Sequence, residues 1–246
     1  MLATQLPEDK HWWFHSRTQA LFSVLDPFFA EPGLVLDVGS GAGNMAHHLS
    51  RYGRVIGVDH YWKPLQKAWE RGLCALPAEA VALPFAPDTF TLVALLDVIE
   101  HCPDDAAVLA ESFRVCKPGG LVVITTPAFS WLWSHNDVAN QHLRRYTKGQ
   151  LRQLLAQAGF RMRRLSYTYT LVFPAAAGLV LLRRLTGIRT KIATPQDDDA
   201  YQVEMEAVPP LINSVLFRLG DAEARLLRDY DLGLGTSVLA VAEKPC

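Results

Sequence analysis

The chain has 246 residues, half of them hydrophobic, with six Trp and eleven Phe. That is enough apolar material to fill one large core, which excludes an intrinsically disordered chain. Lys and Arg number 24 against 25 Asp and Glu, a formal net charge of -1, so no overall basic field exists to recruit nucleic acid.

The first ten residues carry Glu8, Asp9 and Lys10 without an apolar run, and so do not read as a secretory signal. Residues 8–29 read as a helix bearing His11-Trp12-Trp13-Phe14, then Arg17, Leu21, Phe22 and Leu25. Its aromatics are too dense for one face, so it is expected to pack on a sheet edge or to cover a cleft as a lid. Pro27 and Pro32-Gly33 close it. Leu34 to Val38 then reads as a buried strand containing Asp37, followed by Gly39, Gly41 and Gly43 at every second position and a helix near 43–51. A strand that breaks into glycines and restarts as a helix brings backbone N–H groups close to a ligand.

A second strand, Val55-Ile56-Gly57-Val58, ends in Asp59. Two strand-end carboxylates around a glycine turn are the sign of a nucleoside-bearing cofactor. A helix near 63–72, a short strand around 73–76, the loop Glu79 to Phe85 and the apolar strand Phe90 to Leu96, with Asp97 at its end, follow. Asp104 is placed to cap a helix carrying Val108, Leu109 and Phe113, which Lys117-Pro118-Gly119-Gly120 ends before a fifth strand, 121–126.

Beyond Pro127 the pattern turns irregular and holds Phe129, Trp131, Trp133, His135, Asp137, His142, Arg144, Arg145 and Tyr146. Thr147 to Gln150 matches a capping box, opening a helix that Gly159 ends, and 160–167 reads as a sixth strand. An apolar run at 171–182, the basic Arg183, Arg184, Arg189 and Lys191, and the acidic Asp197-Asp198-Asp199 come next. Pro209-Pro210 start a helix with Leu211, Ile212, Val215, Leu216, Leu219 and Leu226, and Ser237 to Ala242 is the last strand.

Strands alternating with helices predict an α/β fold, a Rossmann-like, mostly parallel sheet with helices on both faces. Ligands bind outside the carboxyl ends of such strands, which here carry Asp37, Asp59, Asp97 and Pro127. The cysteines Cys74, Cys102, Cys116 and Cys246 stand far apart, without CxxC or Cys/His metal spacing. That suits a reducing cytoplasm and argues against a disulfide framework, and no metal is expected.

The glycine spacing narrows the cofactor. A nicotinamide-binding turn wants G-x-G-x-x-G, and residue 44 is Asn. Asp37-Val38-Gly39-Ser40-Gly41-Ala42-Gly43 resembles motif I, (D/E)-x-G-x-G-x-G, of the class I S-adenosylmethionine-dependent methyltransferases. The resemblance continues in order over roughly residues 8–165. Glu79 to Phe85 resembles D-A-x-x-L-P-F, with Glu for the usual Asp; Asp97-Val98-Ile99-Glu100-His101 resembles the D-V-x-E-H run of the ubiquinone/menaquinone-type subgroup, and Lys117 to Gly120 its K-P-G-G turn. The H-W-W-F…R segment (His11 to Phe14, Arg17), H-x-R-R-Y (His142 to Tyr146) and G-x-S-x-x-x-V-A (Gly235 to Ala242) resemble a less characterised bacterial branch.

The resemblance implies S-adenosyl-L-methionine as cofactor and a seven-stranded sheet whose last strand is antiparallel, with a helical insertion before it. It implies a single domain: a cap helix in 1–32, a cofactor-binding core in 33–168, the insertion in 169–235 and the last strand in 236–246. Asp59 would hold the ribose hydroxyls with His60 against the adenosine, and Glu79 and the Ala80 N–H would meet the adenine. Asp37, Gly39, Ser40, Gly41 and Asp97 complete the expected cofactor set. His101, just past a strand end, is the candidate base, or else a helix-start hydrogen-bonding residue. His142, Arg145 and Tyr146, with Trp13 from the cap, are the candidate acceptor-binding residues, or else the Arg pair belongs to a solvated helix start with one ion pair.

The expected reaction is transfer of a methyl group to O or C of a small-molecule or lipid-linked acceptor, without nucleic acid. An NAD(P)-dependent oxidoreductase and a non-catalytic binding protein on the same fold are the alternatives. The apolar run is about half the ~20 residues a spanning helix needs and contains Pro174 and Gly178. It leaves two readings, an interfacial helix on the inner membrane face and a helix packed in the fold or at a homodimer contact.

Overall fold

The computed structural model describes residues 7–186 and 208–246. Arg189, Lys191 and the acidic stretch Asp197 to Asp199 lie outside the described residues.

Seven strands form one sheet: β1 (Gly33–Val38), β2 (Gly53–Asp59), β3 (Cys74–Pro77), β4 (Phe90–Leu96), β5 (Cys116–Pro127), β6 (Arg161–Thr168) and β7 (Ser237–Glu243), in the order β3-β2-β1-β4-β5-β7-β6. The first five are parallel, and β7 runs antiparallel to both β5 and β6. The expected fold class is borne out. The switch point lies between β1 and β4, where Asp37 pairs in register with Gly57 on one side and Ala94 on the other. That register puts the carboxyl ends of β1, β2 and β4 side by side.

Strand alternation sends successive apolar residues to opposite faces, giving two cores. One face carries Leu36, Val93, Leu95, Val122 and Ile124 beneath α4 (Asp105–Val115) and α6 (Lys148–Gln157), through Val108, Leu109, Leu151 and Leu155. The other carries Val35, Leu92, Ala94 and Val123. It is covered by α1 (Trp12–Leu25), α2 (Ala46–Leu49), α3 (Trp62–Glu70) and α8 (Pro210–Asp229), through Leu21, Val24, Leu49, Leu65 and Leu227. α1 lies along α8, and Gly220 permits the approach: a Cβ there would sit 2.1 Å from Ser16 Oγ. The backbone proximity outweighs the ~1 kcal/mol a helical Gly costs against Ala.

Three boundaries differ from expectation. The helix read over 8–29 is α1 between two 3-10 turns, Pro7–Lys10 and Asp26–Phe28. His11 breaks it by adopting extended backbone and accepting from Trp13 N at its own Nδ1. The helix near 43–51 shrinks to α2 and a 3-10 turn, Ser50–Tyr52, because Gly43 still holds φ +78. β5 begins at Cys116, ahead of Lys117 to Gly120, because Gly119 N donates to Lys244 O and ties that turn to the end of β7.

The caps follow their sequence signatures: Asp104 accepts from Ala107 N at 2.9 Å, and Thr147 and Gln150 close a capping box on α6. The apolar run becomes α7 (Phe173–Thr186), packed through Phe173 and Ala177 on Leu132. Leu181, Leu182 and Leu185 stay exposed on it. No helix among the described residues is long and apolar enough to cross a membrane.

Candidate active site

An open cleft of about 730 Å³ lies at the carboxyl ends of β1, β4 and β5. Its floor is the glycine turn. Gly39, Gly41 and Gly43 take φ values of +70, +52 and +78, a region that favours glycine, and a Cβ on Gly39 would stand 2.7 Å from Val98 Cγ2. Gly39 N and Ser40 N both donate to Val58 O, and Gly41 N donates to Asp59 Oδ2 at 2.8 Å. The carboxylate that ends β2 thereby fixes the turn that follows β1.

Asp37 is buried beside this turn, and burial pushes its carboxyl up to about 7. Arg17 opposes that rise and Asp59 adds to it. Arg17 comes from α1 and was read in the sequence only as part of an aromatic motif. Its Nη1 donates to Asp97 Oδ2 at 3.0 Å, and its guanidinium lies 4.4 Å from the Trp13 ring centre. Asp97 adopts φ +58, and its Oδ1 accepts from Thr125 Oγ1. Asp37 Oδ2, Ser40 Oγ and Arg17 Nε are buried without a hydrogen-bond partner among the described residues, and all three residues line the cleft. Such orphaned groups are costly in an interior and mark where a polar ligand fits.

The opposite wall belongs to the segment after β5. α5 (His135–Ala139) is a single turn with a Ser134/Asp137 capping box. The Asp137 side chain is fully buried and accepts from Arg145 Nε at 2.7 Å, Arg145 Nη2 at 3.0 Å and Ser134 N at 2.7 Å, and pairs with His142 Nδ1 at 3.0 Å. Burial alone would raise its carboxyl, but these hydrogen bonds outweigh that and hold it well below the usual carboxylate range. Asp137 is inconspicuous in the sequence, because its importance lies in contacts made five and eight positions along an irregular loop.

Glu100 is buried, with Oε2 accepting from Thr126 Oγ1 and Oε1 unpartnered among the described residues; burial, then Asp97, raises its carboxyl. His101 is exposed at the cleft edge, and its ring stands edge-on to that of His142, centres 4.8 Å apart. Partial burial, then His142, lowers its basicity.

The cleft thus brings together Trp13, Asp37, Gly39, Ser40, Gly41, Asp97, His101, His142 and Arg145. Asp59 adjoins it through Gly41 N. His60 and Glu79 pair with each other at 3.4 Å outside the lining, both exposed, with Ala80 beside them. Tyr146 is buried behind the wall, its hydroxyl donating to Asp105 Oδ2 at 2.6 Å, and Arg144 bonds the same carboxylate. The two arginines thus make two ion pairs where the alternative reading expected one. Each is committed to a carboxylate, Arg145 also donating to Ala128 O, so the pair buttresses the wall.

In comparisons with known proteins, the chain is 37% identical over 101 residues to a ubiquinone biosynthesis O-methyltransferase of Pseudomonas fluorescens, covering 37% of this chain and 43% of that one. It is 32% identical over 127 residues to a demethylmenaquinone methyltransferase of Thermobifida fusca, covering 48% and 51%. The chain spans about half the length of these curated relatives. Among solved structures, Haemonchus contortus phosphoethanolamine N-methyltransferase 2 in complex with S-adenosyl-L-methionine shares the fold at a TM-score of 0.59 and 19% identity, covering 100% of this chain and 61% of that one. The [4+2]-cyclase SpnF does so at 0.57 and 19%, covering 92% and 81%. A family described as a methyltransferase domain matches residues 13–165, more than half of the chain, and the protein belongs to that family.

Proposed function

We propose that this protein is a methyltransferase that uses S-adenosyl-L-methionine. The observation that carries the reading is the group of orphaned buried atoms in one cleft. A carboxylate (Asp37) and a guanidinium (Arg17) beside the glycine turn suit the ammonium and carboxylate of a free amino-acid group. The turn has Asn44 where a pyrophosphate-binding turn needs its third glycine, which disfavours the nicotinamide alternative. Asp59, next to the turn, suits a ribose diol, and the adenine would lie toward His60, Glu79 and Ala80. The bound cofactor supplies an electrophilic methyl on a sulfonium sulfur. The protein's part is to hold an acceptor in line with it, an orientation effect worth up to ~7–11 kcal/mol in well-ordered systems.

The acceptor half of the cleft is walled by Trp13, Leu132, Leu179 and Val180, with Ser134, Asn136, Asn140 and the two imidazoles as polar groups. That mixture fits a small or lipid-linked acceptor with an apolar body, in keeping with the quinone-type reactions named for the relatives. The four free cysteines suit the cytoplasm. The exposed leucines of α7 suit peripheral contact with the inner membrane face or a second copy of the chain. Flotation with liposomes tests the first, which fails if the protein stays at the bottom, and sedimentation equilibrium tests the second.

Titration calorimetry with S-adenosylhomocysteine tests the cofactor. One equivalent bound, and strong weakening in Asp59→Ala, supports the reading; no binding sinks it. Binding without turnover of any acceptor would leave the non-catalytic alternative.

A further inference from the structure

Resting on the reading just given, the geometry points to His142, and not His101, as the general base, oriented by Asp137, and hence to an acceptor that delivers its nucleophile from an O–H group. A base must present a lone pair in a fixed direction, and an imidazole does so only when its other nitrogen is held as a donor. His142 meets that condition. Its Nδ1 lies 3.0 Å from Asp137 Oδ1, and its backbone N–H donates to Asp137 O at 2.8 Å.

Asp137 is fully buried and held ionised by its hydrogen bonds from His142, Arg145 and Ser134, so it acts as an acceptor and Nδ1 carries the proton. Nε2 is left with its lone pair and has no partner among the described residues, while the ring lines the cleft. His101 has no hydrogen bond to either nitrogen among the described residues, is exposed, and therefore has no fixed tautomer.

The charged groups facing His142 are Asp137 and Arg145 from its own loop and Glu100 and His101 from the segment after β4. The backbone fixes the two segments together, with Leu143 N donating to Glu100 O at 2.8 Å.

In the proposed step the acceptor O–H proton moves to His142 Nε2. The oxygen lone pair forms the C–O bond to the methyl carbon while the C–S pair returns to sulfur as a neutral thioether. The positive charge lost from sulfur reappears on the imidazolium, where Asp137 balances it, and the proton then passes to solvent. Asp137 touches neither reactant and is a positioning residue.

The first test needs no acceptor. Long-range proton–nitrogen spectra of the protein with bound S-adenosylhomocysteine at pH 8 should show neutral His142 protonated at Nδ1, and Asp137→Asn should abolish that preference. An Nε2-protonated His142 in the unaltered protein overturns the proposal. Because Asp137 also holds Arg145, Asp137→Asn is paired with His142→Gln and Asp137→Glu.

With S-adenosylmethionine and catechol (1,2-dihydroxybenzene) as probe, His142→Gln should lower kcat about a hundredfold, within the usual range for a lost general base. S-adenosylhomocysteine affinity should hold within twofold, which separates this outcome from failure of the cofactor reading. Asp137→Glu should recover part of the rate, and the acidic limb of kcat/KM should move to lower pH in Asp137→Asn. A His142→Gln rate within threefold of wild type, or a His101→Asn loss larger than that of His142→Gln, overturns the assignment. Absence of catechol methylation by a protein that binds the cofactor overturns the hydroxyl acceptor.

Discussion

Arg17 Nη1 lies 3.0 Å from Asp97 Oδ2, a contact between residues 80 positions apart that ties the N-terminal helix to the end of β4. With the Trp13 and Phe14 rings against the guanidinium, α1 becomes one wall of the cleft. The helix does not sit on a sheet edge: Leu21, Val24 and Leu25 enter the core on the face that carries Val35 and Leu92, while Trp13 and Arg17 line the cleft.

Arg17→Ala should therefore weaken S-adenosylhomocysteine binding at least about tenfold, since a charge-assisted hydrogen bond is worth ~1.5–3 kcal/mol. Arg17→Lys should recover only part of that, because an ammonium cannot engage Asp97 and a ligand carboxylate in one plane. Calorimetry decides it, and wild-type affinity in Arg17→Ala would remove the residue from the site.

Asp37 carries a pH prediction. Its folded carboxyl titrates at about 7 against an ordinary 3.8, so between those values the folded state holds a proton that the unfolded chain has released. Stability must fall as pH rises through that window, by up to about 1.4 kcal/mol per pH unit from this group alone. Urea unfolding of wild type and Asp37→Asn from pH 4 to 8 should diverge in that sense, the variant lacking this slope. Binding of a cationic amine next to Asp37 favours its ionised form, so cofactor binding at pH 6 should release a proton. Calorimetry in buffers of different ionisation enthalpy measures it, and proton uptake would contradict the assignment.

Gly39→Ala should abolish cofactor binding and lower stability by roughly 1–3 kcal/mol, from the positive φ and the Val98 contact together. Thermal unfolding and calorimetry on one preparation check both effects. Retained affinity would show that the turn relaxes without consequence.

The capping box of α6 gives a control remote from the cleft. Thr147→Ala removes the acceptor of Gln150 N and should cost about 1 kcal/mol of stability. S-adenosylhomocysteine affinity should stay within twofold of wild type, as calorimetry will read.

Much of the architecture was legible because it is local. Val35 and Leu36 alternate between two cores, Asp104 and Thr147 announce helix starts, and Gly39, Gly41 and Gly43 stand where the backbone needs positive φ. Less legible was the division of labour among polar residues. Arg144, Arg145 and Tyr146 read as a cluster available to a ligand, yet Asp137 and Asp105 engage all three. His101 read as the base and His142 as an acceptor contact, and the Asp137 carboxylate on His142 Nδ1 is a contact that the sequence pattern does not announce.

The sequence by itself determined the strands, the helix starts and the glycine turn, because strand alternation, caps and backbone conformation depend on neighbours a few positions away. Which buried polar atoms find partners and which are left facing the cleft depends on contacts such as Arg17 with Asp97 and Tyr146 with Asp105, made between distant segments. Those pairings set the electrostatics of the site, and only the tertiary structure decided them.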